Sequence, residues 1–158
     1  MPKDWLYYGL LALLAIGLLT AAFTDIRRRQ IDNSLNAAIA AAAPLFWWAD
    51  GLALWPDVAM QVWFAVMVAV ALIVLWSLKF IGGGDIKLLA ALALWITPGA
   101  YLDLLIVMAL VGGALTLAIA AHHLAKRREE KPVIPYGVAI AAGGLWTVGM
   151  HHLPGGIV

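Results

Sequence analysis

The sequence contains no cysteine, and its charged residues (Asp, Glu, Lys and Arg) make up only 12% of 158 residues. Without cysteine the chain cannot form a disulfide, use a thiolate nucleophile or bind zinc through sulfur. Soluble domains are usually about a quarter charged and about half apolar. Here 65% of the residues are hydrophobic. This composition is typical of a membrane protein.

Apolar runs define six candidate membrane spans, at about 5–23, 35–49, 57–78, 86–99, 101–124 and 134–150. About 20 apolar residues cross a bilayer, and shorter helices serve where neighbours shelter them. The first run is too long for the apolar core of a signal peptide, and arginines follow it, so we interpret it as a retained helix. The sequence therefore predicts an all-α, polytopic bundle of six transmembrane helices in a single domain, residues 1–158.

The positions of lysine and arginine predict the orientation of this bundle. If the spans alternate in direction, every basic residue except Lys3 falls on one side of the membrane. Basic residues are enriched on the cytoplasmic side, so both termini are expected outside. The residues of the basic side are Arg27, Arg28, Arg29, Lys79, Lys87, Lys126, Arg127, Arg128 and Lys131.

Among the carboxylates of that same side, Asp25 lies at the end of the first span and Asp85 at the start of the fourth. Ionisable groups at the edge of a membrane span are functional candidates by default. Simpler interpretations exist, because Asp85 could be a helix N-cap and the arginines at 27–29 could neutralise Asp25. A cap needs one turn glycine, however, and three precede Asp85. A run of glycines permits positive φ and a close approach of backbones.

Two carboxylates that share one water molecule can hydrolyse an amide without a metal or a covalent intermediate. The ionised one takes a proton from water, and the protonated one assists the carbonyl and the departing nitrogen. We therefore expect no cofactor. The adjacent pairs His122–His123 and His151–His152 lack the HExxH spacing and point about 100° apart on a helix, so we expect no metal site.

Three stretches resemble the blocks of the type 4 prepilin peptidase family, in the family's order: DIRRRQIDNSLN from Asp25, GGGDIKLLAALALW from Gly82, and VIPYG before the last span. The segment from Gly82 to Asp85 matches the GxGD motif of intramembrane aspartyl proteases. GxGD alone is a weak signal, whereas the ordered set is specific. The resemblance is to the short form of the family, which has no N-terminal segment with paired cysteines.

The resemblance implies that Asp25 and Asp85 form the catalytic dyad. Asp32 stands where the family usually has proline, and it is a rival for the first position of the dyad. The residues implied as supporting or substrate-binding positions are Gly82, Gly83, Gly84, Lys87, Asn33, Tyr136 and Gly137.

The resemblance also implies a function: a membrane-embedded aspartyl endopeptidase that cleaves the leader of prepilin or pseudopilin precursors at the cytoplasmic face of the bacterial inner membrane. The expected partners are the precursor, the lipid bilayer and, by association, a pilus or type II-like secretion machinery, with no nucleic acid. Three alternatives stay open. They are a small transporter or channel subunit, a non-catalytic assembly subunit, and a peptidase for another precursor such as an archaeal flagellin.

Overall fold

The computed structural model describes residues 4–126 and 134–152, and in these ranges the chain forms six α-helices without a β-strand. A kinked turn, Leu54–Val58, in which Trp55 is extended (φ −135°, ψ 130°), leads into the third helix. The all-α prediction is confirmed. The helices are α1 (Asp4–Arg28), α2 (Asn33–Asp50), α3 (Ala59–Ser77), α4 (Gly83–Leu92), α5 (Pro98–Ala125) and α6 (Tyr136–His152).

Three helical stretches in the described ranges are long and apolar enough to cross a membrane: Asp4–Arg28, Leu54–Ser77 and Pro98–Ala125. The other helices, α2, α4 and α6, have 18, 10 and 17 residues. Large apolar side chains are exposed along the three long stretches, whereas α4 and α6 bury a large share of their residues. An apolar exterior around an alanine- and glycine-rich interior is the arrangement expected of helices that pack together in lipid.

Contacts between the helices bring their polar ends together at the two ends of the bundle. At one end Lys87 contacts Asn33 across α4 and α2, and at the other end Tyr7 bonds to His152 across α1 and α6. Of the basic cluster expected on one side, the residues at 27–29, 79, 87 and 126 lie at or near helix ends at the first of these two ends. Both termini, with Lys3, and the basic residues at 127, 128 and 131 lie outside the described residues.

The fourth helix differs from its predicted span, because it ends at Leu92 instead of continuing to 99. A tightened turn follows, in which Trp95 N–H donates to Leu92 O, and Ala93, Trp95 and Ile96 are almost fully buried. Non-helical backbone at membrane depth is tolerated where protein groups satisfy its carbonyls. Gln61 Nε2 donates to the carbonyl oxygens of Ala93 and Ile96, each at 2.8 Å. Trp47 Nε1 donates to Leu94 O at 2.7 Å.

We expect Gln61→Leu to destabilise the protein, because it leaves two buried carbonyls at the end of α4 without donors. The loss in the free energy of unfolding should be about 2 kcal/mol. Reversible unfolding in mixed detergent micelles measures it, with Met60→Leu as the control, since Met60 is the exposed neighbour on the same helix. Equal stability of Gln61→Leu and Met60→Leu would show that the amide does not support the turn.

Glycines on α6 allow this helix to lie close to α1 and α5. A Cβ atom added at Gly143 would lie 2.6 Å from the backbone oxygen of Leu104, and one at Gly144 would lie 2.9 Å from Leu18 Cδ1. Small residues at helix contacts permit this kind of close packing. As a consequence, the N-terminal end of α6 reaches the C-terminal end of α1, where Asp25 lies.

Candidate active site

A polar cavity of about 440 Å³ lies where the end of α1, the start of α2 and the start of α4 meet. It brings together residues that are distant in sequence and that we singled out for their chemistry. Both aspartates of the expected dyad line it, as do the glycine run, Asn33 and the rival Asp32. The complete lining is Asp25, Arg29, Gln30, Ile31, Asp32, Asn33, Gly82, Gly83, Gly84 and Asp85.

Asp25 lies in the last turn of α1 and is buried, with 7% of its surface exposed. Its Oδ2 accepts a hydrogen bond of 2.8 Å from the backbone N–H of Gly137, the second residue of α6. The first N–H groups of a helix have no partner within the helix, so they are natural donors to a carboxylate. A Cβ atom at Gly137 would lie 2.9 Å from both Cβ and Oδ2 of Asp25, and glycine is therefore required for this contact.

Neutralisation of Asp25 by the neighbouring arginines is not seen in the described part of the chain, where Asp25 forms no ion pair. The guanidinium of Arg27 lies over the ring of Phe23, 4.7 Å from its centroid. Arg29 lines the cavity and is one of two non-glycine residues in the described ranges with a positive φ, at 55°. The buried carboxylate of Asp25 is therefore stabilised by the backbone N–H of Gly137 at the N-terminal end of α6.

Asp85 is the third residue of α4, and the N-cap of this helix is Gly82. The interpretation of Asp85 as an N-cap is therefore wrong. A Cβ atom at Gly82 would lie 2.9 Å from Asp85 Oδ2, so the carboxylate folds back over the glycine that precedes the helix. Each aspartate of the pair thus lies against a glycine that leaves room for its carboxylate, Gly137 for Asp25 and Gly82 for Asp85.

Burial and, to a smaller extent, the charge of Asp25 together raise the pKa of Asp85 from its usual value to about 6. Asp85 lies beside the polar cavity, outside the three long apolar helices. A carboxyl group whose neighbour is already ionised keeps its proton to higher pH. The two aspartates are therefore electrostatically coupled, which is the arrangement that separates an acid from a base.

The expectation of positive φ in the glycine run is wrong. Gly82 is extended, with φ −68° and ψ 146°, and among the described glycines only Gly51 has a positive φ. A close approach of backbone within the chain is present, because a Cβ atom at Gly84 would lie 3.4 Å from both N and Cβ of Ile31. The first turn of α4 is thereby held against the segment between α1 and α2.

Two side-chain amides near the start of α2 form hydrogen bonds to α4. Lys87 Nζ donates to Asn33 Oδ1 at 2.7 Å, which gives both expected supporting residues a structural partner. Asn36, one turn further along α2, donates to Gly84 O at 3.4 Å and is 5% exposed. Asn36 was not among the predicted residues. An amide at the start of the alanine-rich stretch of α2 was the available signal, since a buried polar group requires a partner.

Tyr136, another expected supporting residue, lines a second cavity of about 450 Å³ together with Trp76 and Phe80. This cavity is lined mostly by apolar side chains, and it shares Gly82, Gly83 and Asp85 with the polar cavity. The carboxylate of Asp85 therefore lies at the boundary between a polar and an apolar space. The sequence pattern does not predict this apolar cavity, because its walls come from four separate helices and the loop before α4.

Asp32 precedes α2 in an extended conformation, with φ −64° and ψ 136°, and its side chain makes no cap hydrogen bond. It lines the polar cavity but is exposed, in contrast to the buried Asp25. The carboxylate that raises the pKa of Asp85 is that of Asp25. This geometry favours Asp25 over Asp32 as the partner of Asp85.

In residues 4–126 and 134–152 no three His, Asp or Glu side chains are grouped to hold a metal ion. Two of the four histidines bond to other side chains at the opposite end of the bundle. His151 pairs with Asp103 at 2.9 Å, and His152 bonds to the hydroxyl of Tyr7 at 2.7 Å. The groups in the polar cavity that we consider for acid–base chemistry are therefore the carboxylates of Asp25 and Asp85.

The fold and the site define a class of protein: an apolar helical bundle in which a buried and a half-buried carboxylate, each beside a helix N-terminus, share one polar cavity. The chain belongs to the type IV leader peptidase family, whose model matches residues 12–117. The matched range includes Asp25, Asp32 and the glycine run with Asp85. The family resemblance predicted from the three sequence blocks is confirmed.

Two curated relatives from Burkholderia pseudomallei, strains 1026b and K96243, are each named prepilin leader peptidase/N-methyltransferase. Each is 32% identical to this chain over 146 residues. The match covers 85% of this chain and 44% of each relative, so the chain spans less than half the length of these relatives. No solved structure matches the chain.

Proposed function

We propose that this chain is a membrane-embedded aspartyl endopeptidase that removes the leader peptide from type IV prepilins or pseudopilins. The observation that carries the proposal is the coupling of Asp25 and Asp85 across one polar cavity. Membership of the type IV leader peptidase family and the names of the relatives support the same reaction and substrate class.

In the proposed mechanism, Asp85 begins protonated and Asp25 begins ionised. The carboxylate of Asp25, oriented by the N–H of Gly137, takes a proton from a water molecule as the oxygen attacks the scissile carbonyl. Asp85 donates a hydrogen bond to that carbonyl oxygen and then gives its proton to the departing nitrogen. The C–N bond breaks, and transfer of the proton from Asp25 to Asp85 restores the pair.

We further propose that residues 1–158 act as one peptidase domain whose six helices lie in the bacterial inner membrane. The polar cavity faces the cytoplasm in this arrangement, with both termini outside, because the described lysines and arginines gather at the cavity end. α4 and the buried turn after it cross inside the protein, sheltered by α2 and α3. The prepilin or pseudopilin precursor approaches through the bilayer, and the pilus or secretion machinery receives the product.

A transporter or channel is a weaker interpretation of the same geometry. Ion-conducting bundles carry ionisable groups through the depth of the membrane. In the described ranges, the acidic and basic side chains lie at or near the helix ends instead. A non-catalytic assembly subunit does not require two carboxylates placed on one polar cavity.

Purified chain reconstituted in vesicles with a type IV prepilin tests the proposal. We expect a product shortened by the leader, identified by its intact mass and new N-terminus. The Burkholderia pseudomallei relative serves as the positive control for the substrate and the vesicles. If the relative cuts the prepilin and this chain does not, the proposed activity is wrong and the assembly-subunit interpretation gains support.

The cleavage rate should fall as the pH rises through the pKa of Asp85, which is about 6. A raised pKa means that Asp85 is protonated below this pH and loses its proton above it, so the acid form is removed in alkaline conditions. Once the pH is well above about 6, each further unit should lower kcat/KM about tenfold. Initial cleavage rates measured at constant ionic strength from about pH 5 to about pH 8 test this, because that range brackets the titration of Asp85. A flat profile contradicts the assignment of Asp85 as the acid.

A further inference from the structure

A groove of about 550 Å³ runs between α2 and α3, and α4 forms its floor. Small side chains make its walls, among them Ala37 and Ala40 of α2 and Ala65 and Ala69 of α3. Ala90 and Ala91 lie on the floor. Small residues along a helical surface let another helix approach closely, which is the common way that helices associate in lipid.

The groove leads to the site described above. At one end its lining changes from alanine and valine to Asn33, Asn36 and Lys87. Asn33 also lines the polar cavity that contains both aspartates. The groove and the polar cavity therefore meet at Asn33, so a chain in the groove that passes this residue reaches the cavity lined by Asp25 and Asp85.

An independent observation at the polar end concerns Asn36. Its side chain is 5% exposed and its Nδ2 faces Gly84 O, while its Oδ1 is buried and accepts no hydrogen bond in the described part of the chain. A buried amide oxygen without a donor is uncommon. Lipid acyl chains carry no donor. The first turn of an α-helix, by contrast, carries four backbone N–H groups that have no partner within the helix.

We propose that the groove binds an apolar helix of the substrate, with the N-terminal turn of that helix beside Asn36 and the scissile segment extended into the polar cavity. The inference rests on the proposed peptidase function, because the occupant must continue into the cavity where it is cut. The helix runs antiparallel to α3, from the Ala69 end of the groove towards Val62. These two positions on α3 are seven residues apart, or about 10 Å.

Disulfide crosslinking tests this arrangement cleanly, because the chain has no cysteine of its own. The full chain with Asp85→Asn, which should leave the substrate uncut, receives either Ala69→Cys or Val62→Cys. A type IV prepilin with single cysteines along its apolar helix is the probe. We expect Ala69→Cys to crosslink near the start of that helix and Val62→Cys about seven residues further along. The matched control is Ala71→Cys, which lies on the exposed opposite face of α3 and lines no groove.

Equal crosslinking of Ala69→Cys and Ala71→Cys overturns the proposal. So does crosslinking of Val62→Cys nearer the start of the prepilin helix than Ala69→Cys. Either result means that lipid, not a substrate helix, fills the groove. A second measurement uses activity. Ala69→Phe should fill the groove and raise KM for the reconstituted prepilin at least about tenfold, whereas Ala71→Phe should not change it. Identical KM values for the two variants also overturn it. If the unsubstituted chain cuts no prepilin, the proposed function fails, and the crosslinking pattern still decides whether the groove binds a helix.

Discussion

Asp25→Asn and Asp85→Asn are each expected to reduce prepilin cleavage by at least about 1,000-fold. Asparagine keeps the size of aspartate and part of its hydrogen bonding, but it can neither accept a proton from water nor supply one. Gly137 N–H can still donate to the amide oxygen at position 25, so the fold should be retained. Single-turnover cleavage of co-reconstituted prepilin measures the loss, and size-exclusion profiles check that each variant folds.

Asp32→Asn is the matched control, since Asp32 lines the same cavity but is exposed and has no hydrogen bond to α6. We expect this variant to cleave within about threefold of the unsubstituted chain. If Asp32→Asn is inactive and Asp25→Asn still cuts, the dyad is Asp32 with Asp85. If all variants cut equally, the cleavage comes from another protease.

Gly137→Ala should lower kcat by roughly 100-fold with a smaller effect on KM, because a displacement of about 1 Å at a catalytic group has this effect. The added Cβ would lie 2.9 Å from Cβ and Oδ2 of Asp25, closer than such atoms approach. Either α6 moves away or the carboxylate rotates, and both changes break the hydrogen bond between Gly137 N–H and Asp25. Rates at saturating prepilin measure the change.

Gly149→Ala is the control on the same helix, because a Cβ atom at Gly149 meets no atom within 4 Å. This variant should retain full activity. Thermal unfolding of both variants separates a local effect from a loss of the fold. Gly137→Ala with unchanged kcat would show that α6 does not orient Asp25.

The helices, and the positions of Asp25 and Asp85 near helix ends, could be predicted because each rests on local information. Apolar runs of the right length mark α1, α3 and α5, and the ordered sequence blocks mark Asp25 and Asp85. The early end of α4 could not be predicted in this way, since the sequence from 88 to 96 is apolar throughout. Beyond Leu92, Gln61 and Trp47 supply donors to the carbonyls of the turn, and these donors come from other helices.

The roles of individual glycines also depended on packing between distant elements. Sequence alone suggested unusual backbone angles for the run before Asp85, whereas the structure shows ordinary angles and close contacts. The pairing of Gly137 with Asp25 joins residues 112 positions apart. The signal that could have pointed to Asn36 and Gln61 was their chemistry, because each is an amide in an otherwise apolar helix and needs a partner there.

The central claim is that Asp25 and Asp85 act as one catalytic unit, and a double-variant cycle tests it most directly. Residues that act as a unit show strongly non-additive losses, so the second substitution should cost little once the first has been made. We predict that the chain carrying both Asp25→Asn and Asp85→Asn cleaves prepilin within about threefold of the slower single variant. Losses that multiply in the double variant would contradict a shared site and assign the two carboxylates separate roles.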